Sequence, residues 1–452
     1  MVPEAVIECV STLQKAGYPT YLVGGCVRDL MLGVEPQDFD VATAALPKTV
    51  LRLFPRVRPT GLAFGTVTVL SPLPIEVTTF RSDGRYTDGR RPDKVLFTDD
   101  VKKDLSRRDF TINAMAWDPI TDIIVDPWDG RADLESGLIR TVGDPAERFG
   151  EDALRLLRAP RFASQLKFSI EPDTLTALSQ EAPGLEFVAK ERIGKELALL
   201  LMGEDILPVL QLLVDSGLLV RIIPELLNGQ GMEQSRLHRE DVLGHNLRTC
   251  SLTPPILPLR LAGLLHDVGK PGKFKEGPYG RMFPEHAGRS AALVPHILTR
   301  LRYSRKLVKQ VTILVGHHMF LWRPSHGVPP VRRLAAQVGW DNFRLLIELI
   351  KADRKAIWGD SRQSGIFELE VAYRQVVAER PPLVASELAV DGKELMSSLE
   401  LEPGPIVGVL QRRLLEAVWD DPDLNSRPIL LAMAQQELNR LRQVSTQYDN
   451  DK

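Results

Sequence analysis

Leu22–Thr43 reads LVGGCVRDLMLGVEPQDFDVAT, and the order of residue types in it decides how the rest of the chain is read. Tyr21–Val23 is a short β-prone run, Gly24 and Gly25 interrupt it, and Cys26–Leu32 has helical spacing that stops at Gly33. Strand, glycine turn and helix start together make an anion site. Glycine lets backbone N–H groups approach a phosphate closely, and the helix start adds partial positive charge. Arg28, one turn in, is placed for a bidentate guanidinium contact, with Asp29 beside it to orient it.

Asp38-Phe39-Asp40-Val41 comes next. Read as a strand, its period of two puts both carboxylates on one face and Phe39 and Val41 on the other. Two adjacent carboxylates repel unless a cation sits between them, and hard oxygen ligands that share a site with phosphate favour Mg²⁺. Alone, a glycine pair is usually a turn and a DxD triplet a solvated loop. In this order, with Arg28 and Asp29 between them, they point to a nucleoside triphosphate and its metal.

The segment resembles the signature of the polymerase-β-type nucleotidyltransferases, specifically the bacterial class II tRNA CCA-adding enzymes and their poly(A) polymerase relatives. That resemblance implies template-independent addition and repair of the 3′-terminal CCA of tRNA from CTP and ATP. It also implies Asp38 and Asp40 as catalytic ligands of two Mg²⁺ ions, with Gly24, Gly25 and Arg28 at the triphosphate. Narrower relatives, A-adding enzymes and poly(A) polymerases, share these motifs.

A chain of 452 residues is too long for one core, so two to four domains are expected. With 57 basic and 59 acidic residues the net charge is −2, and no global field advertises nucleic acid. Basic residues instead cluster locally, at Arg81, Arg85, Arg90, Arg91 and Lys94, and again at Lys102, Lys103, Arg107 and Arg108. Three cysteines without paired spacing suit a reducing compartment. There is no signal pattern at the N-terminus, and charge, Pro or Gly breaks every long apolar run. The expectation is a cytoplasmic protein with no membrane partner, its oligomeric state left open.

Short β-prone runs at 65–70, 75–80 and 123–125 mix with helices up to about residue 145, after which leucine-rich helical spacing dominates. In IEVTTF, Glu76 faces away from Ile75 and Val77, and serves either as a further carboxylate at the metal pair or as an exposed sheet glutamate. Ser82–Phe97, rich in Gly, Asp and Arg, reads as a surface loop. The family resemblance makes it the flexible loop that serves the final A addition. In RRDFTINA, a helix would put Asp109 and Asn113 on one face. The resemblance assigns nucleotide binding to Arg108 and Asn113.

Glu151–Arg158 reads EDALRLLR, and on a helix Asp152 and Arg155 stand side by side, one acceptor and one donor. Cytosine and adenine each pair an exocyclic amino donor with a ring-nitrogen acceptor, whereas uracil and guanine do not. An Asp/Arg pair complements the first two. By itself the pair reads first as an ordinary surface salt bridge. In its place after RRDFTINA it resembles the family's amino-acid template, with Arg158 and Arg161 in support. Pro160 departs from the family pattern by putting a helix breaker ahead of Arg161.

All eight histidines fall within residues 238–326. The order His245, His266-Asp267, His286, His317-His318, Asp353 resembles metal-dependent HD-superfamily phosphohydrolases, which implies a second divalent-metal site with His245, His266, Asp267, His286, His317 and Asp353 as ligands. It also implies a phosphatase or 2′,3′-cyclic phosphodiesterase activity. An HD phosphohydrolase with a nucleotide-sensing head is the more distant alternative. The fold expected is α+β: a polymerase-β-like head of mixed sheet and helices (1–147), a helical neck (148–232), an HD domain (233–360) and a C-terminal helical body that supports tRNA (361–452).

Overall fold

The protein is described from a computed structural model over residues 2–70, 72–84, 95–234, 240–272, 274–277, 280–359 and 365–450. It divides into two compact units, Met1–Leu227 with Arg300–Arg302, and Asn228–Thr299 with Tyr303–Lys452.

The first unit opens on α1 (Glu4–Lys15), whose Val6, Cys9, Val10 and Leu13 recur at helical spacing and are buried. Then come β1 (Thr20–Val23), α2 (Gly25–Met31), β2 (Asp40–Thr43), α3 (Pro47–Leu53), β3 (Val57–Gly61), β4 (Thr66–Leu70) and β5 (Pro74–Thr79). β6 (Arg81–Asp83) and β7 (Val95–Phe97) form a separate antiparallel pair, and α4 (Val101–Ser106), β8 (Ala116–Asp118), β9 (Ile123–Val125) and α5 (Gly130–Glu135) complete the head. Seven strands make one sheet in the order β3-β4-β5-β2-β1-β8-β9, mixed because β2 and β5 run parallel while the other pairs are antiparallel. Alternation explains the sheet's core face: Val67 and Val69 of β4 and Ile75, Val77 and Thr79 of β5 point inward. Val23, Ala42, Phe80, Leu105, Ala114, Ala116 and Val142 close a cluster behind the glycine turn.

β10 (Leu138–Ile139), α6 (Pro145–Glu151), α7 (Arg155–Leu166), β11 (Ser169–Ile170), α8 (Pro172–Glu181), α9 (Lys190–Leu201), α10 (Leu207–Asp215), α11 (Leu219–Ile222) and α12 (Pro224–Leu227) finish this unit. The second unit is α13 (Val242–Leu252), α14 (Leu257–Leu265), the hairpin β12 (Lys275–Gly277) and β13 (Gly280–Met282), α15 (His286–Arg300), α16 (Arg305–His317), α17 (Pro329–Val338), α18 (Trp340–Trp358), α19 (Ile366–Glu379), α20 (Gly392–Leu399), α21 (Pro405–Asp420) and α22 (Arg427–Asn450). α13, α14, α16 and α18 pack on one another, and Asp241, Ser304 and Asp391 cap helix starts with their side chains. A mixed-sheet head followed by a helical body is the fold class expected from the sequence. Among the described residues no helix is long and apolar enough to cross a membrane.

Three local expectations are corrected. Asp38 lies just ahead of β2 rather than in it, although Phe39 and Val41 are buried as alternation requires. RRDFTINA is not an α-helix: Phe110 bridges to Thr141, and only Thr111–Asn113 coil, as a 3₁₀ turn. β-branched Thr111 and Ile112 disfavour the helix, and the Asp109 carboxylate takes the Phe110 N–H at 2.8 Å. Asp152 and Arg155 do not share a helix, because α6 ends at Glu151 and Asp152 is extended at φ −145°, ψ 100°.

Candidate active site and metal centre

Gly24 carries φ +77° and ψ −139°, a conformation reserved for glycine, and it turns the chain from β1 into α2. A Cβ there would lie 2.8 Å from Arg108 Nη1 and 3.7 Å from Asp40 Oδ2. The glycine turn, the arginine after the loop and the second carboxylate of DFD therefore meet at one point. Arg108 is held by the buried Asp104, which receives its Nη2 at 3.4 Å and Arg107 Nη2 at 2.9 Å.

Asp40 pairs in register with Glu76 across β2 and β5. Burial raises the Asp40 carboxyl above its ordinary value, Arg108 opposes this, and Asp38 adds to it. Burial raises Glu76 too, followed by the charges of Asp40 and Asp38. Asp40 and Glu76, both raised and with the Asp38 charge beside them, fit a hard divalent cation.

Arg28 is held by two neighbours: Asp29 Oδ1 accepts from its Nε and Nη2 at 2.9 and 2.7 Å, and Nη1 donates to Asn113 Oδ1 at 2.8 Å. Asn113 Nδ2 donates to Asp109 Oδ1 at 3.3 Å, and Arg158 Nε to Asp109 Oδ2 at 2.7 Å. Burial opposes the Asp109 charge, but Arg158 and Arg155 outweigh it and hold the carboxyl at about 2. Helix α7 continues through Pro160, and beyond it Arg161 pairs with Glu196 of α9 at 2.7 Å. The guanidinium carbons of Arg161, Arg28 and Arg158 stand 3.9, 5.1 and 5.6 Å from the Phe162 ring centroid. One aromatic ring thus gathers three cations from two distant segments.

Asp152 and Arg155 have separate partners. Arg192 of α9 grips Asp152 with both terminal nitrogens, at 3.2 and 2.7 Å. Arg155 turns into the fold and donates to Glu151 Oε2 at 2.5 Å, Arg148 O at 2.8 Å and Arg107 O at 3.1 Å. The basic run at 85–94 lies outside the described residues.

In the second unit, His245 on α13, His266 and Asp267 after α14, His286 opening α15, His318 after α16 and Asp353 on α18 converge. Asp267 joins two ligand triplets, one with His245 and His266 and the other with His286 and His318. The expected ligand His317 is corrected to His318: α16 ends so that His318 turns inward and is buried, while His317 stays half-buried. His266, His286 and His318 each direct Nδ1 at a carbonyl, Gly263 O at 2.9 Å, Phe283 O at 2.6 Å and Val315 O at 2.7 Å. A carbonyl only accepts, so Nδ1 donates in each and Nε2 is the atom that each ring turns to the cluster. There His286 Nε2 and His318 Nε2 are 3.3 Å apart, and His245 Nε2 and His266 Nε2 3.1 Å.

Ring nitrogens this close call for a cation between them, and so does Asp267 Oδ1. It is buried without a well-formed hydrogen bond, although His286 Nε2 approaches to 3.2 Å. Burial works against a charged His266, yet Asp267 and Asp353 raise it to about 10, which marks where positive charge is wanted. His296 and His326 lie elsewhere on α15 and in the 324–326 turn, and His238 falls outside the described residues.

A family model described as "Poly A polymerase head domain" matches residues 20–140, and another, "Probable RNA and SrmB- binding site of polymerase A", matches 167–229. A CCA-adding enzyme of Limosilactobacillus reuteri is 34% identical over 422 residues, which is 93% of this chain and 93% of that enzyme. This chain belongs to the CCA-adding enzyme family. A second member, from Limosilactobacillus fermentum, is 46% identical over 225 residues, covering 50% of this chain and 56% of that enzyme. Among solved structures, the Bacillus stearothermophilus CCA-adding enzyme in complex with CTP superposes at a TM-score of 0.74 with 29% identity, covering 98% of this chain and all of that one. The Thermotoga maritima CCA-adding enzyme complexed with tRNA shares the fold at a TM-score of 0.61 and 19% identity.

Within this member of the CCA-adding enzyme family, the sequence reading missed Asp104, Arg192, Lys270 and His318. Asp104 had a readable signal, since it precedes Arg107 and Arg108 by three and four residues on a helical run. Lys270 had the same signal from Asp267, which it meets at 2.5 Å. Arg192 had none, because its partner Asp152 is 40 residues away.

Proposed function

We propose that this chain adds and repairs the 3′-terminal CCA of tRNA from CTP and ATP without a template. The observation that carries the proposal is the meeting of Gly24, Arg108 and Asp40 at one point beside Glu76. Gly24, Gly25, Arg28 and Arg108 hold the triphosphate, Asn113 fixes Arg28, and Asp38 and Asp40 hold two Mg²⁺. When bound, these ions lower the pKa of the tRNA 3′-hydroxyl and neutralise the triphosphate for in-line attack on the α-phosphate with loss of pyrophosphate. Asp152 and Arg155 read the base, and Arg158 and Arg161 support the site. On this reading 1–147 is the catalytic head, 148–232 the neck, 233–360 the HD domain and 361–452 the tRNA-supporting body, in a cytoplasmic protein.

Incubation with tRNA ending at the discriminator base, at C and at CC, with each nucleotide separately, tests this. Addition of C, C and A in turn is expected. Addition of A alone to the CC end would replace the proposal with an A-adding enzyme, and unlimited A addition with a poly(A) polymerase.

The histidine–aspartate cluster favours a second reading alongside the first, a metal-dependent phosphohydrolase. His245, His266, Asp267, His286, His318 and Asp353 hold its cation. Phosphate release from nucleotide ends by an Asp38→Ala protein, lost in His266→Ala, is the expected outcome.

A further inference from the structure

Beside the second cluster lies a cleft of about 520 Å³ lined by Gly272, Phe274, Lys275, Pro284, Glu285 and Arg289. We propose that it seats a single nucleotide, its base on Phe274 and its phosphate between Lys275 and Arg289, as the substrate subsite of the histidine–aspartate centre. This rests on reading that centre as a phosphohydrolase.

The cleft adjoins the centre through the chain itself. His286 leaves the first position of α15 for the cluster, Arg289 stands three residues on along the same helix face, and Glu285 and Pro284 immediately precede it. Lys270, two residues ahead of Gly272, bonds Asp267 and lies 5.5 Å from the ring centroid of Phe283, next to Pro284.

The lining suits a nucleotide. Phe274 is 46% exposed, and the Arg281 guanidinium stands 4.6 Å from its ring centroid, so the rim offers an aromatic plane with positive charge beside it. Lys275 and Arg289 supply cations for a phosphate, and the Glu285 carboxylate can accept from ribose hydroxyls. The volume falls in the roughly 300–1,000 Å³ range of small-molecule sites. Glu285 also holds φ +60°, a left-handed conformation that a non-glycine residue keeps only when its surroundings impose it. The reaction served is hydrolysis of a phosphate ester. The water oxygen bonds to phosphorus, the P–O bond to the ribose breaks, and the water proton ends on the released hydroxyl.

The test uses the full chain and the Phe274→Ala variant, whose change falls on an exposed side chain. Hydrolysis of adenosine 3′-phosphate and of glycerol 2-phosphate, which carries no base, is followed with Mn²⁺. The expected result is a KM for the nucleotide raised about tenfold, the scale of losing one stacked base, with kcat and the glycerol 2-phosphate KM unchanged. An unchanged nucleotide KM overturns the subsite. Equilibrium dialysis of adenosine 3′-phosphate against Asp38→Ala proteins separates the two claims. If the unaltered cleft binds nucleotide and the variant does not while neither hydrolyses it, the subsite stands and the phosphohydrolase reading falls. Equal binding by both overturns the subsite whatever the hydrolysis shows.

Discussion

Gly24 is the residue on which the head's geometry turns. Any side chain there meets Arg108 Nη1 and must also hold φ +77°. Gly24→Ala is expected to cost on the order of 1–3 kcal/mol of head stability and to lower nucleotide incorporation roughly 100-fold, the scale of losing one preorganised donor. Chemical denaturation and single-nucleotide incorporation measure the two effects, and a variant with full activity would remove Gly24 from the site. Asp40 and Glu76 are raised above their ordinary values of 3.8 and 4.5. A carboxyl raised on folding binds more protons folded than unfolded, so without metal its contribution to stability falls as pH rises through the ordinary value to the raised one. Mg²⁺ reverses that penalty, so the rise in Tm on adding Mg²⁺ is expected to be larger at pH 7 than at pH 4. Equal shifts at the two pH values would argue against metal at these carboxylates. Asp109 has the opposite sign. Held at about 2, it contributes stability above 3.8 that is lost as pH falls through its folded value.

At the scale of elements, two pairings place the chemistry. The parallel register of β2 on β5 sets Asp40 against Glu76, and the packing of α9 on α7 brings Arg192 to Asp152 and Glu196 to Arg161. Arg192 and Glu196 are four residues apart on one face of α9, so that helix grips both Arg161 of α7 and the extended Asp152 ahead of it. With Arg192 gone, Asp152 loses the contacts that fix its orientation. Arg192→Ala is expected to raise KM for CTP and ATP about tenfold, the worth of one charge-assisted hydrogen bond, and to relax discrimination against UTP and GTP. An unchanged ratio of correct to incorrect incorporation would make the pair merely structural. The strand β5 and the outward face of Glu76 were legible because alternation is a local signal. The break at Asp152 was not, since EDALRLLR has sound helical spacing, and the contacts that oppose it, Arg192 on Asp152 and Arg155 on Arg107 O, come from 40 and 48 residues away.

Across the whole molecule, the carboxylates of the head and the histidine cluster fall in different compact units. Their chemistries are expected to separate. Asp38→Ala should abolish incorporation and leave phosphate release intact, and His266→Ala should do the reverse, each followed in both assays; loss of both activities from one substitution would show that the units do not act independently. The sequence by itself determined the mixed head, the helical body, the Gly24–Gly25 turn with Asp38 and Asp40, and the histidine order, because these depend on residue periodicity and short spacings. Only the tertiary structure decided that His318 rather than His317 faces Asp267, that Arg108 lies against Gly24, and that Arg192 holds Asp152. Those contacts join residues tens of positions apart, and helix phase and strand register, set by packing of the whole core, fix which side chain arrives.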